Sequence, residues 1–129
     1  MSPRILVIED DPRVADLLRR GLEFQGHEVI LAADGPQGRD RWAEGGFGAI
    51  VLDVMLPGIN GIDLCAERRA AGDLTPVIVL TARDEDRVRE RGAAAGADAF
   101  VLKPFKYSDL VGIVARLAGG TGRRTESSG

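Results

Sequence analysis

The sequence predicts an α/β fold in which a doubly wound sheet of five parallel strands is flanked by five helices. Short runs of apolar and β-branched residues recur along the 129-residue chain without alternating with polar residues. This pattern is typical of strands that are covered on both faces. The segments between the runs have helical spacing and are too long for hairpins, so right-handed crossovers between parallel strands are expected.

The predicted strands are short and differ in polarity. Four clearly apolar runs cover residues 5–8, 49–52, 77–80 and 100–102. A weaker fifth run over residues 27–32 is more polar at its start. Because one side of an edge strand faces solvent, we expect this second run along the chain to lie at an edge of the sheet.

The predicted helices follow these runs and begin at recognisable caps. The side chains of Asp11, Asp34, Asn60 and Ser108 suit N-caps, and the remaining helix is expected over residues 86–95. Prolines two residues or fewer after the first two caps support those starts, since proline is favoured in the first helical turn. Strand and helix therefore alternate five times, which predicts the doubly wound architecture.

Composition and charge exclude several classes of protein. The net charge of −3 argues against a surface that coats nucleic acid, because phosphate binding requires a basic face. The single cysteine, Cys65, cannot form an internal disulfide, and no apolar run has the length of a signal peptide or a membrane span. We therefore expect a cytoplasmic protein with no membrane association.

Polar residues follow the four clearly apolar runs. Glu9 and Asp10 follow the first, Asp53 the next, Thr81 the next and Lys103 the last. In a parallel sheet the carboxyl ends of the strands meet at one rim, where ligands bind in this class of fold. The sequence therefore predicts one polar cluster at that rim.

Such a cluster has the composition of a phosphoryl-transfer site. Three carboxylates close together repel one another, and oxygen ligands suit Mg²⁺, which keeps several waters and accepts a phosphate oxygen. A carboxylate beside a divalent ion, a lysine and a hydroxyl can attack phosphorus, so Asp53 is a candidate nucleophile. Taken singly, each residue has a simpler interpretation as a helix cap, a turn former, a strand end or a surface lysine. The argument for a site depends on all of them following different strands.

Four motifs together resemble the receiver domain of bacterial two-component response regulators. They are "ILVIEDD", "LDVMLPGINGIDL", "VIVLTA" and "LKPF", in this order, and the resemblance covers residues 4–118. It implies a flavodoxin-like sheet with strand order 2-1-3-4-5. It also implies a receiver domain over residues 1–118, and the Gly- and Ser-rich segment 119–129 is interpreted as a flexible C-terminal tail or linker.

The resemblance assigns roles to the acids. Asp53 would accept a phosphoryl group from a sensor histidine kinase. Glu9, Asp10 and Asp53 would hold Mg²⁺ or Mn²⁺ together with the backbone carbonyl of Met55. The domain would be a signalling switch and not an enzyme, apart from self-phosphotransfer and autodephosphorylation.

The resemblance also assigns roles to residues around the acids. Thr81 would move toward the bound phosphoryl group, Lys103 would pair with it, and the peptide bond before Pro104 would be cis. Phe100 matches the aromatic residue of the family's switch. Met55 and Arg83 match variable positions that tune autodephosphorylation.

The motifs "DVMLP" and "TAR" are most similar to receivers of the branch that carries winged-helix DNA-binding domains. Members of that branch dimerise through the fourth helix, fifth strand and fifth helix. Arg89, Asp98 and Asp109 match the ion pairs used there, whereas Ala99 replaces an acid and Ile113 an arginine. A homodimer through this face is therefore possible with one ion pair fewer.

Three functions remain open from sequence alone. Phosphorylation would control transcription through a DNA-binding domain outside this sequence, or the chain would be a single-domain receiver that docks to partners. A flavodoxin-like FMN carrier is the first rival class, but the acids of "EDDPR" would repel a flavin phosphate. A Mg²⁺-dependent aspartyl-phosphate hydrolase is the second, although Glu9 stands where such enzymes carry the nucleophilic aspartate.

Four further residues are interpreted structurally. The fourth helix has Val88 as its one branched apolar residue and Gly92 in its interior, so weak anchoring is expected. Trp42 is expected in the core or half exposed, and His27 is expected to have no role in phosphotransfer.

Overall fold

The computed structural model describes residues 4–82 and 86–128, with side chains described up to residue 118. Five strands form one parallel sheet in the order β2-β1-β3-β4-β5, which confirms the predicted fold class and strand order. The elements are β1 (Arg4–Ile8), α1 (Pro12–Phe24), β2 (Glu28–Ala32), α2 (Gly35–Glu44), β3 (Phe47–Asp53), α3 (Gly61–Ala70), β4 (Val77–Thr81), α4 (Asp86–Ala94), β5 (Ala99–Leu102) and α5 (Tyr107–Ser128).

The sheet lies between two apolar layers. Side chains at alternate strand positions, such as Leu6 and Leu52, pack with α2 and α3 on one face. Their neighbours in sequence, such as Ile5 and Val51, pack with α1 and α5 on the other. All five residues of β4 are buried, whereas β2 at the edge is partly exposed, so the continuous apolar runs reflect coverage of both faces.

Three of the predicted N-caps are confirmed. The side chains of Asp11, Asp34 and Asn60 accept hydrogen bonds from backbone N–H groups in the first turns of α1, α2 and α3. The prediction for α5 was wrong, because the helix begins at Tyr107 and Ser108 lies inside it. The Lys106 carbonyl accepts the first hydrogen bonds of that helix and therefore takes the capping position.

The remaining predictions have mixed outcomes. Trp42 is 1% exposed and belongs to the core, as expected. Arg83 lies outside the described residues, and the flexible tail over residues 119–129 stays a prediction. Within residues 4–82 and 86–128, no helix combines the length and the apolar character needed to cross a membrane.

Candidate functional site

Three acids meet at the carboxyl ends of β1 and β3. These strands are neighbours, with Ile8 opposite Leu52, so the residues that follow them lie side by side. One carboxylate oxygen from each of Glu9, Asp10 and Asp53 lies within 4.8 Å of the other two. Glu9 and Asp53 are 2% and 6% exposed, while Asp10 is exposed. The predicted convergence of these acids is therefore present.

Lys103 joins this acid cluster (Glu9, Asp10 and Asp53) from the end of β5. Its Nζ donates to Glu9 Oε1 and to Asp53 Oδ2, each at 2.9 Å. The backbone N–H of Lys103 donates to the Thr81 carbonyl at 2.7 Å, which fixes the base of the side chain. The peptide bond between Lys103 and Pro104 is cis, as the resemblance implies.

Burial and charge shift the pKa values of Glu9 and Lys103, the two groups that meet at this contact. Burial raises the pKa of Glu9, and the charge of Asp53 adds to the effect, while hydrogen bonds from the Asp11 backbone and Lys103 oppose it. Burial would lower the pKa of Lys103, but its hydrogen bonds to Asp53 and Glu9 outweigh burial and raise the pKa. The lysine therefore carries a positive charge beside Asp53 at neutral pH.

Thr81 lies at the same rim, and Phe100 lies two residues before the end of the neighbouring strand β5. Thr81 ends β4, the strand between β3 and β5, and is 6% exposed. The Phe100 ring on β5 reaches α4. A Cβ at Gly92 would lie 2.4 Å from Phe100 Cζ, and Arg89 Cζ lies 5.9 Å from the ring centroid. The described structure thus connects Phe100 with the fourth helix through two residues.

The loop between β3 and α3 carries Met55 next to the acids. The Met55 backbone N–H donates to Asp53 Oδ1 at 3.1 Å, and the residue is 66% exposed. Both oxygens of Asp53 therefore accept hydrogen bonds, one from this loop and one from Lys103. This arrangement fixes the orientation of the carboxylate.

Sequence reasoning missed two contributions to the site. The backbone N–H of Asp11, interpreted only as a cap, donates to Glu9 Oε2 at 3.0 Å and orients that acid. The glycines at Gly35, Gly58 and Gly61 allow the loop to pack closely, which their presence alone could not reveal. Only a contact between distant segments distinguishes such a glycine from an ordinary turn residue.

The donor set fits a divalent cation. Three carboxylates against one ammonium leave a formal excess of two negative charges within these four residues. Oxygen donors from Glu9, Asp10 and Asp53 are the kind that Mg²⁺ prefers, and the exposure of Asp10 gives solvent access. A phosphate without a metal would meet repulsion here, which disfavours the FMN carrier.

Comparisons with known proteins agree with this geometry. The family model for the response regulator receiver domain matches residues 5–115. Response regulator MprA of Mycobacterium tuberculosis is 46% identical over 111 residues, which cover 86% of this chain and 48% of that protein. This chain therefore spans about half the length of the curated relatives it matches.

Solved structures show the same fold. The receiver domain of the Francisella response regulator 1452 has a TM-score of 0.89 and 31% identity, with 93% of this chain and 99% of that chain covered. DrrB of Thermotoga maritima, named as an OmpR/PhoB homologue, has a TM-score of 0.80 and 33% identity, with 90% of this chain and 52% of that chain covered. Since the family match includes the strands and all five residues of the predicted rim, the chain belongs to the response regulator receiver domains, the signalling domains of two-component systems.

Proposed function

We propose that Asp53 accepts a phosphoryl group from the phosphohistidine of a sensor histidine kinase in a Mg²⁺-dependent reaction. The observation that carries the proposal is the position of Lys103 Nζ, 2.9 Å from both Glu9 and Asp53 in the acid cluster. A bond forms between an Asp53 oxygen and phosphorus while the P–N bond of the donor breaks and its electron pair returns to the imidazole. The product is an aspartyl phosphate.

Each residue would contribute one element of this transfer. Glu9, Asp10, Asp53 and the Met55 carbonyl would hold Mg²⁺, which would supply positive charge at the phosphoryl oxygens. Lys103 would stabilise charge on the same group from its protonated side chain. The hydrogen bond from the Met55 N–H would keep Asp53 aligned for attack.

The switch would pass from the rim to α4. Thr81 at the end of β4 would donate its hydroxyl to the bound phosphoryl group, and Phe100 would change its packing against Gly92. The face formed by α4, β5 and α5 would then bind the output partner. Met55 and Arg83 would set the lifetime of the aspartyl phosphate, and self-phosphotransfer from small phosphodonors belongs to the same proposal.

The output is also a proposal. MprA is named as a response regulator and DrrB as an OmpR/PhoB homologue, which supports the winged-helix branch and control of transcription through a DNA-binding domain. Docking by a single-domain receiver is the alternative. Oδ2 of Asp98 accepts hydrogen bonds from Arg69 and from the Val77 N–H, so an ion pair in a homodimer would have to share this carboxylate. Light scattering with and without beryllofluoride tests dimerisation, and the cytoplasmic location stays a prediction.

Intact-mass spectrometry tests the phosphoacceptor directly. Incubation with acetyl phosphate and Mg²⁺ should add one phosphoryl group to the wild type and none to Asp53→Asn. The matched control is Asp40→Asn, which removes an exposed acid on α2 and should be phosphorylated normally. If the wild type stays unmodified where another receiver domain gains the group, or if Asp53→Asn gains it, the proposal is wrong.

A further inference from the structure

The first turn of α2 and the loop between β3 and α3 pack through two glycines. A Cβ at Gly35 would lie 1.7 Å from Ile59 Cγ2 and 2.9 Å from the Ile59 backbone nitrogen. A Cβ at Gly58, which has φ +88°, would lie 2.7 Å from Pro36 Cδ. The Gly35 N–H also donates to the Pro57 carbonyl at 2.9 Å. At each of the two glycines, a larger residue of the opposite segment therefore packs into the space that a side chain would fill.

The ends of this loop are held by the sheet. The Val54 N–H donates to the Leu80 carbonyl at 3.1 Å, and the Gly61 N–H donates to the Val54 carbonyl at 2.8 Å. A Cβ at Gly61 would lie 2.1 Å from the Asp53 carbonyl oxygen, so the loop closes tightly on the strand that carries the acid. Between these ends, the contact with α2 supports the loop from the side.

We propose that Gly35 is a positioning residue for the metal site, because it lets the first turn of α2 fix the loop that carries Met55. The inference rests on the proposed function, since it assumes that the Met55 carbonyl and the acid cluster bind Mg²⁺. Mg²⁺ tolerates little departure from octahedral geometry, so a displaced carbonyl weakens binding. Loss of support behind metal ligands reduces affinity about tenfold or more.

Gly35→Ala is the sharpest perturbation. The φ of Gly35 lies outside the left-handed region, so alanine adds no backbone strain there, and alanine favours a helix. The distance of 1.7 Å between the new Cβ and Ile59 Cγ2 must increase to about 3.5–4.0 Å, and the Ile59 backbone is among the atoms that must move. The same change at Gly58 would mix this clash with the strain of positive φ.

Binding of Mn²⁺, followed by the electron paramagnetic resonance of the free ion, measures the effect on folded protein. Mg²⁺ competition gives the affinity for the second ion. Gly35→Ala should bind Mn²⁺ about tenfold more weakly than the wild type. Adding Ile59→Ala to Gly35→Ala removes the Cγ2 atom at 1.7 Å but leaves Ile59 Cβ and the Ile59 nitrogen at 2.9 Å, so it should recover part of the affinity. Gly112→Ala on α5, where a Cβ meets nothing within 4 Å, is the matched control and should bind normally.

The outcomes separate this inference from the function on which it rests. If the wild type binds no Mn²⁺, the metal site of the proposed function is wrong and the inference falls with it. If the wild type binds but Gly35→Ala binds equally well, or the double variant recovers nothing, only the role of Gly35 is refuted. Circular dichroism verifies folding. If Gly35→Ala does not fold, Pro36→Ala is the second variant, because it removes the contact with Gly58. Pro36→Ala should weaken Mn²⁺ binding, and unchanged affinity in this variant refutes the inference.

Discussion

The substitution Asp10→Asn should change stability in opposite directions with and without Mg²⁺. In the acid cluster, the oxygens of Asp10, Glu9 and Asp53 lie within 4.8 Å of one another. At that distance two unit charges in water repel by about 0.9 kcal/mol. Since Asp10 is exposed, this value for water applies to its two repulsions, and attraction to Lys103 offsets part of them. We expect the metal-free variant to gain about 1 kcal/mol in free energy of unfolding.

Magnesium should reverse the order. An ion that binds only the folded state stabilises it by about 2.7 kcal/mol at one hundred times its dissociation constant. The wild type should show this increment, while Asp10→Asn, which lacks one of the three proposed carboxylate ligands, should show much less at the same concentration. Urea unfolding at pH 7 in EDTA or in Mg²⁺ gives both values, and the buried Trp42, the only tryptophan, supplies the fluorescence signal.

Two controls isolate the electrostatic cause. Asp40→Asn removes an exposed acid on α2 and should leave the Mg²⁺ increment unchanged. High NaCl should shrink the metal-free gain of Asp10→Asn, because salt screens exposed charges. The reasoning is refuted if Asp10→Asn is less stable than the wild type in EDTA, or if its Mg²⁺ increment equals that of the wild type.

Three further variants test other parts of the structure. Gly92→Ala adds a methyl group 2.4 Å from Phe100 Cζ and should disfavour the present ring position by about 1–3 kcal/mol. The NMR signals of the Phe100 ring should shift and beryllofluoride should bind more tightly, and unchanged ring spectra would contradict this prediction. Arg69→Lys loses the five hydrogen bonds of the guanidinium and should lower the free energy of unfolding by about 2 kcal/mol in urea; no loss would refute the importance of that network. Burial raises the pKa of Asp73, but hydrogen bonds from Thr75 and the charge of Arg68 together outweigh it and the pKa is lowered, so its stabilisation is present above about pH 4 and lost as pH falls further. Asp73→Asn should therefore flatten the acid side of the stability curve, and an unchanged slope would count against this assignment.

The sheet could be predicted because its residues obey local rules. The continuous run Val77–Thr81 is buried at all five positions, as is typical of a short strand covered on both faces. Asp11 and Asn60 were predicted as caps because a cap depends on the two or three residues that follow it. Ser108 was wrong as a cap because α5 begins at Tyr107, so Lys106 precedes the helix, and sequence does not fix a helix start to within one or two residues.

The candidate site was predictable as a set of residues and not as a set of contacts. Parallel strands bring Glu9, Asp53 and Lys103 to one rim, so their convergence follows from topology alone. That one ammonium bonds to both acids depends on side-chain reach across β4, which no local pattern contains. Arg69 is a similar case, because its partners Gly96 and Asp98 lie 27 and 29 residues away in sequence.

The electrostatics of the rim explain how stability and function oppose each other here. Glu9 and Asp53 are almost fully buried, and burial of a carboxylate is unfavourable unless a cation compensates it. Lys103 compensates in part, and the two apolar layers on either side of the sheet stabilise the fold enough to tolerate the rest. Substitutions that neutralise an acid should therefore stabilise the metal-free domain while removing a ligand of the site. The same excess of negative charge that makes the metal-free cluster unfavourable favours a divalent cation there, so the proposed metal binding would maintain an arrangement that costs stability.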